Sequence, residues 1–453
     1  MKDKVLIVGF SVTGVAAARY LSSFCNVYLT ESAQKKDEDS KDIIELEKSG
    51  VKLEFGAHSD EFIKGAKFAI ISPSIPRDAQ ILKELEKNNV EYFSDIEYIF
   101  RYIKDKAKPQ MVVVTGTNGK TTTTLLMSHI FSEKYIAPYC GNVGTSPFDC
   151  LNNNPDYLIV EASSYQLNYS KELAPKIAVF CNLTPDHLAW HGGIDGYFEA
   201  KAAIFKRMDK NSHAILNFDD ERVKNLAEKL NCNTHFFALE KSELPCIEGN
   251  CYIENNAIYY GAEKIIDTKD VPIVGNHNLQ NVMGCIIAAK VVNIDNKTIV
   301  SAIESFKAPA HRCEFIRMLD ETAYYNDSKA TNPEAAIVAI NSFKGKKTVL
   351  IAGGRDKNTS LKEFIELVKQ RISKVVLIGE ATDRFTDELY SSGYTNIVHA
   401  QSLEEAIDLA SLDKPDVVLL SPACASFDMF KNYEERGEAF RRYVLSKKQL
   451  VSR

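Results

Sequence analysis

The stretch Val112-Val113-Val114-Thr115-Gly116-Thr117-Asn118-Gly119-Lys120-Thr121-Thr122 constrains the fold more than any other. An apolar, β-branched run enters a glycine loop and a helix opens at the lysine, so the chain must hold a strand, a tight turn and a helix packed on a sheet. Such a loop aims backbone N–H groups and a helix N-terminus at one point, where several phosphate oxygens can sit. Gly116, Thr117, Asn118, Gly119 and Thr122 form the expected cradle. Lys120 is placed to neutralise the β- and γ-phosphates of a nucleotide, and Thr121 to offer a hydroxyl to magnesium. The full motif puts glycine where Val114 stands, which predicts a shorter loop. A solvent-facing turn with a lysine at the helix start is the plainer alternative.

A chain of 453 residues exceeds one core and predicts two or three domains. With 26% charged residues, 45% apolar residues and a net charge of −6, it has the make-up of an ordinary globular protein and offers no basic face for nucleic acid. Its ten cysteines contain no CxxC pair, which excludes a zinc ribbon and fits a reducing cytoplasm better than an oxidising compartment. The opening MKDKVLIVGF runs straight into a glycine turn and reads as a buried first strand, not as a signal peptide. No apolar run is long enough to cross a membrane, and no assembly segment stands out, so a monomer is expected.

The first block carries strands at Val5–Val8, Val27–Thr30 and Lys67–Ser72 and a helix over Gly14–Leu21. A lysine-rich linker, Arg101–Gln110, leads to the central block. Strands are expected there at Met111–Thr115, Tyr157–Glu161 and Lys176–Asn182, helices after the glycine loop, around Tyr197–Met208 and over Gly284–Val291, and hairpins between Cys232 and Asp270. Beyond Ala308-Pro309-Ala310, strands at Thr348–Ala352, Val375–Ile378 and Val417–Leu420 alternate with helices near Leu361–Lys369 and Leu403–Leu409, the pattern of a mostly parallel sheet.

Several polar groups fall at apparent strand ends, where α/β proteins bind ligands. Gly9, Ser11 and Gly14 approximate a dinucleotide fingerprint with Ser11 in place of the second glycine, and Glu31 supplies an approximate ribose-binding acid. Glu161 closes an apolar strand and offers the hard oxygen that magnesium prefers. His187, in a loop after the next strand, reads either as a metal ligand or as a turn residue. Lys201 shares a helix face with Tyr197, Ile204 and Phe205; burial there would favour the neutral amine, which can take up carbon dioxide as a carbamate, whereas a snorkelling surface lysine is the alternative. Gly275–Asn281 opens a helix whose amides can read an adenine or ribose edge. Arg312 and Lys329 are placed to approach a polyphosphate if the last domain closes. The turns at Gly353–Lys357 and Ser421–Asp428 suit a small anion, with Lys357 on a carboxylate and Ser426 supplying a hydroxyl, or are ordinary βα turns.

Taken together, GTNGKTT, VEASSYQL, DHLAWHG, GNHNLQN, NDSKATNP and LLSPACASFDMF closely resemble the Mur ligases, ATP-dependent amide ligases of cytoplasmic peptidoglycan synthesis, over essentially the whole chain. The resemblance implies an α/β protein of three domains: a Rossmann-like domain over 1–98 for a uridine nucleotide substrate, a central P-loop ATPase-type domain over 99–308, and a Rossmann-like domain over 309–453 that binds the incoming amino acid and closes on ATP. It implies UDP-N-acetylmuramoyl-L-alanine on Ser11, Val12, Gly14, Thr30, Glu31, Ser74 and Asn142. D-glutamate is implied on His187, Lys329, Thr331, Lys357, Ser426 and Tyr433, and ATP on the glycine loop with Asn278, Asn281, Arg312 and Asp327. Two magnesium ions would be held by Thr121, Glu161, His187 and a carbamylated Lys201, with Lys120, His187 and Lys201 as the catalytic groups. The chain departs from the family pattern in carrying Ser74 where glycine is common and Tyr433 where phenylalanine is common. Other readings are a related Mur-type or folylpolyglutamate-type ligase, and a nucleotide-binding regulator that has lost ligation.

Overall fold

A computed structural model describes residues 2–36, 40–103, 109–356 and 359–447. Strands β1 (Lys4–Val8), β2 (Asn26–Glu31), β3 (Lys52–Phe55), β4 (Phe68–Ile71) and β5 (Glu91–Phe93) form a parallel sheet in the order β3-β2-β1-β4-β5. Val5, Leu6, Ile7 and Val8 are all buried, because helices cover both faces of a parallel sheet and its strands read as unbroken apolar runs. The order reverses between β1 and β4, which opens a crevice at their C-terminal ends. At its rim the helix Val12–Ser22 starts so close to β1 that a Cβ on Gly14 would lie 2.1 Å from the Gly9 carbonyl oxygen.

The second sheet comprises β6 (Gln110–Thr115), β7 (Tyr139–Gly141), β8 (Tyr157–Glu161), β9 (Ile177–Phe180), β10 (His213–Asn217), β11 (Asn233–Ala238), β12 (Cys251–Glu254), β13 (Ala257–Tyr260) and β14 (Glu263–Asp267), in the order β14-β13-β12-β11-β10-β9-β6-β8-β7. It is parallel from β7 through β12, and the last pairings are antiparallel. Asn255 and Asn256 join β12 to β13 with φ of 49° and 59°, the left-handed pair a two-residue hairpin requires. The hairpins expected between Cys232 and Asp270 are therefore present. β6 lies between β8 and β9, so the glycine loop leaves the sheet at a second reversal of strand order.

The third sheet contains β15 (Glu314–Leu319), β16 (Thr322–Asn326), β17 (Thr348–Gly353), β18 (Ile372–Ile378), β19 (Ile397–His399) and β20 (Val417–Leu420), in the order β15-β16-β20-β17-β18-β19. Only β15 runs antiparallel to its neighbour. The chain divides into two compact units, Met1–Thr268 with Gln280–Glu304, and Lys269–Leu279 with Ser305–Arg453. Within the first unit one apolar core runs from Val5 to Leu226, so the first two sheets share an interior. Phe148 joins them, with its ring centroid 5.5 Å from that of Tyr20 and 5.4 Å from that of Tyr98. Among the described residues, no helix is long and apolar enough to cross a membrane.

Candidate active site

Val114 occupies the position where the full phosphate-loop motif has glycine because it is still in β6, paired to Glu161 on one side and Val179 on the other. The loop proper begins at Gly116. The segment after β9 fixes its shape: Thr117 N donates to Asn182 O at 2.9 Å, Asn118 N donates to Asn182 Oδ1 at 2.9 Å, and Asn182 Nδ2 returns a bond to Asn118 O at 3.1 Å. Gly119 caps the helix Lys120–Ser132 with φ of 81°, and a Cβ there would lie 2.5 Å from Asn281 Oδ1. Asn281 is thus packed against the loop it was expected to serve. Asn278, the other predicted amide, donates its Nδ2–H to Val274 O at 2.7 Å.

Two amines meet at one carbonyl. Lys120 Nζ donates to Gly116 O at 3.0 Å and to Thr117 O at 2.8 Å, and Lys201 Nζ donates to Gly116 O at 2.6 Å. Lys201 comes from the helix Ile194–Ala202 and is 1% exposed, which decides between the buried and the snorkelling reading. Burial, and then the charge of Lys120, push its amine well below the ordinary lysine value. Glu161, at the end of β8, is also buried. Its Oε1 accepts from Asn142 Nδ2 at 2.7 Å, whereas its Oε2 is buried with no hydrogen-bond partner. An unpartnered carboxylate oxygen beside a phosphate loop is the donor a hard divalent cation takes. His187 stands at the edge of this group. It is half-exposed, has φ of 52°, lies 3.4 Å through Nε2 from Asp186 Oδ2, and has its ring centroid 5.1 Å from that of Tyr165. Among the described residues, no cluster of three or more histidine, cysteine, aspartate or glutamate side chains could hold a metal without other ligands. The groups present fit magnesium that draws further oxygens from nucleotide phosphates.

In the crevice of the first sheet, Ser11 Oγ accepts from Gly14 N at 3.2 Å and from Ser72 Oγ at 3.2 Å, and Ser72 Oγ lies 3.1 Å from Ser74 Oγ. Ser11 and Ser74 are thereby brought together, with Val12 exposed beside them. Glu31 is engaged by the rim: its Oε2 accepts from Phe10 N at 2.8 Å and its Oε1 from Ala33 N at 2.9 Å. Thr30 is fully buried, with its hydroxyl shared among Glu54 Oε2, Ala57 O and His58 Nδ1 at 2.8–2.9 Å.

The second unit gathers its own cluster at the C-terminal ends of β16, β20 and β17. Lys329 Nζ lies 3.8 Å above the Tyr433 ring. Thr331 N donates to Lys329 O at 2.8 Å, and Ser426 is buried in the turn after β20. Asp327 accepts from Cys313 N at 3.1 Å and from Ser421 Oγ at 2.8 Å, and burial pushes its carboxyl up to about 7 against the opposing pull of Arg312 and Arg436. Lys357 lies outside the described residues. The organiser of this cluster is a residue the sequence reading did not single out. Arg436, 1% exposed, donates from Nε to Ser328 Oγ at 2.9 Å, from Nη2 to Ser328 O at 2.9 Å and Cys424 O at 3.2 Å, and from Nη1 to Ala425 O at 3.3 Å. Also unforeseen are Asn182, which braces the glycine loop, and Arg77 and His191, which join the first two sheets. Asn182 lay in a predicted polar strand end; the partners of the other three are too far away in sequence to leave a local signal.

Two family models match the chain: Mur ligase middle domain over residues 114–289, and Mur ligase, glutamate ligase domain over 311–424. The UDP-N-acetylmuramoylalanine--D-glutamate ligase of Thermoanaerobacter pseudethanolicus is 35% identical over 97% of this chain and 98% of its own. The protein of the same description from Clostridioides difficile is 35% identical over 97% of each. Among solved structures, the UDP-N-acetylmuramate-alanine ligase of Thermotoga maritima superposes with a TM-score of 0.59 at 20% identity, covering 98% of this chain and all of the other, which shows the shared fold. With both Mur models matched and relatives aligned along nearly its whole length, the chain belongs to the Mur ligase family.

Proposed function

We propose that this protein is an ATP-dependent ligase that joins D-glutamate to UDP-N-acetylmuramoyl-L-alanine through an acyl phosphate, acting as a monomer in the cytoplasm during peptidoglycan precursor synthesis. The observation that carries the reading is the meeting of Lys120 and Lys201 at Gly116 O beside the unpartnered Glu161 Oε2, in a chain 35% identical to such ligases over 97% of its length. Residues 1–98 take the uridine nucleotide, with Ser11, Val12, Gly14, Glu31 and Ser74 at the crevice, Thr30 shaping its floor and Asn142 on the muramoyl arm. Residues 99–308 hold ATP on Gly116–Thr122 with Asn278 and Asn281. Residues 309–453 receive D-glutamate on Lys329, Thr331, Lys357, Ser426 and Tyr433, with Arg312 and Asp327 as nucleotide contacts of that unit.

The alanyl carboxylate attacks the γ-phosphorus, ADP departs, and Lys120 offsets the charge that accumulates between the two anions. The amine of D-glutamate, after losing a proton, attacks the resulting acyl carbonyl; the tetrahedral adduct then expels phosphate and leaves the amide. His187 orients that amine at the rim of the site. Magnesium, held by Thr121, Glu161 and His187 with a carbamate on Lys201, supplies Lewis-acid neutralisation of the phosphates. The low proton affinity of the buried Lys201 amine is what supports a carbamate there, because carbon dioxide adds only to the neutral form.

The reading is tested by phosphate release coupled to mass-spectrometric detection of product, with D-glutamate compared with L-glutamate, meso-diaminopimelate and L-lysine. The D-glutamyl amide is expected, and only with D-glutamate. Binding of both nucleotides with no amide from any acceptor would make the chain a regulator instead. Glu161→Gln is expected to lower turnover about 100-fold and to raise the magnesium concentration needed for half-maximal rate, which a magnesium titration of both proteins would check.

A further inference from the structure

The loop that leaves β4 starts in the nucleotide crevice and ends on the second sheet. At its start, Ser72 Oγ donates to Ser11 Oγ at 3.2 Å and lies 3.1 Å from Ser74 Oγ. Further along, Ile75 O accepts from Tyr169 OH at 2.8 Å. At its end the Arg77 guanidinium lies 4.6 Å over the Trp190 ring, and Arg77 Nη2 stands 3.4 Å from His191 Nδ1. His191, 4% exposed, continues the line through Nε2 to Ser164 Oγ at 2.9 Å, and Ser164 opens the helix that follows Glu161. Burial, aided by the charges of Arg77 and Lys201, holds the His191 ring down to about 4. The imidazole is therefore neutral at working pH, accepting at Nδ1 from Arg77 and donating from Nε2 to Ser164.

We infer that Arg77, clamped on Trp190 and His191, is a positioning residue that fixes the span between the nucleotide crevice and the phosphate loop, and so selects substrates by the length of the arm joining nucleotide to carboxylate. The inference rests on the ligase reading above. A uridine nucleotide without the arm touches one end of the span only, whereas the complete substrate must fit both ends at once. A slack loop should therefore weaken the complete substrate alone.

In the full-length protein, Arg77→Ala is expected to raise KM for UDP-N-acetylmuramoyl-L-alanine about 10-fold or more, since a charged hydrogen bond and a cation–π contact are lost together. Affinity for UDP and KM for ATP should stay within about 2-fold. Arg77→Lys, which keeps the cation over the ring and one donor, should recover most of the loss. Trp190→Leu should give the same split, and the double variant should be no worse than either single one. An unchanged KM for the complete substrate would overturn the inference, and so would equal weakening of UDP, which would make Arg77 a direct nucleotide ligand. The thermal unfolding midpoint reports folding of the variant, and if Arg77→Ala fails that check, Arg77→Lys and Trp190→Leu decide the matter. Absence of amide from the parent protein would instead sink the ligase reading itself.

Discussion

Lys201→Met is expected to lower amide formation about 1000-fold while leaving the protein at least as stable as the parent at neutral pH. The activity falls because the amine is at the glycine loop, 2.6 Å from Gly116 O, and removing one preorganised charge-stabilising group from such a site typically costs 100- to 1000-fold, with loss of the proposed carbamate adding to it. The stability moves the other way because methionine fills the same buried space without a desolvated amine. The Lys201 amine has a folded-state pKa well below its ordinary value of 10.5, so below pH 10.5 the unfolded chain binds a proton that the native state resists. Native stability is therefore reduced at every pH below 10.5: the deficit grows as pH falls from 10.5 toward the depressed value and is full below it. The gain from Lys201→Met should grow as pH falls below 10.5 and vanish in alkali. Urea unfolding at several pH values, beside phosphate release, would check both signs; a variant destabilised by several kcal/mol at neutral pH would contradict the account. Intact-mass measurement of the parent in bicarbonate should show one added carbon dioxide, absent from the variant.

Arg436→Met is expected to destabilise the second unit by about 3 kcal/mol and to raise KM for D-glutamate with little change in KM for ATP. The guanidinium donates to a hydroxyl and three backbone carbonyls in the turns after β16 and β20, all of them buried. Methionine replaces the stem but withdraws the charged donor from the buried Ser328 and Cys424 carbonyls, at about 1 kcal/mol or more each, whereas Ala425 O keeps its bond from Arg355 N at 2.9 Å and Ser328 Oγ its bond to Tyr433 O at 2.8 Å; the desolvated charge it removes offsets part of the loss. Arg436→Lys should recover only part, since one ammonium cannot reproduce a planar fork reaching two turns. Chemical denaturation followed by acceptor kinetics would separate these outcomes, and a neutral effect on both would show that the turns hold their shape without the arginine.

The glycine loop was legible because its chemistry is local: glycine spacing, a lysine and a strand before it are enough to fix a strand, turn and helix. Lys201 was half legible. Its helical neighbours marked an apolar face, but only the packed structure shows that face turned inward. The β15–β16 hairpin was missed because Asp320 and Glu321 make its turn at φ of 47° and 67° without glycine or asparagine, and the strands carry no clean alternation. Arg436 was illegible for a different reason: its partner Ser328 is 108 residues away, and a buried arginine looks like a surface one until that partner is known. The crevice serines fell between these cases. Ser11 was read as a departure from glycine, whereas its hydroxyl caps the first helix and ties β1 to the loop after β4.

The interior shared by the first two sheets also bears on how the protein is made. Synthesis is vectorial, and the first sheet leaves the ribosome before Phe148, which packs on Tyr20 and Tyr98, and long before Leu226, which closes the same core. The nascent N-terminal segment therefore holds an apolar face that it cannot cover by itself, and its native burial waits on residues from the next sheet. Folding of the first sheet is thus coupled to translation of the second, and a chain ended before Phe148 leaves Tyr20 and Tyr98 without the ring they pack on.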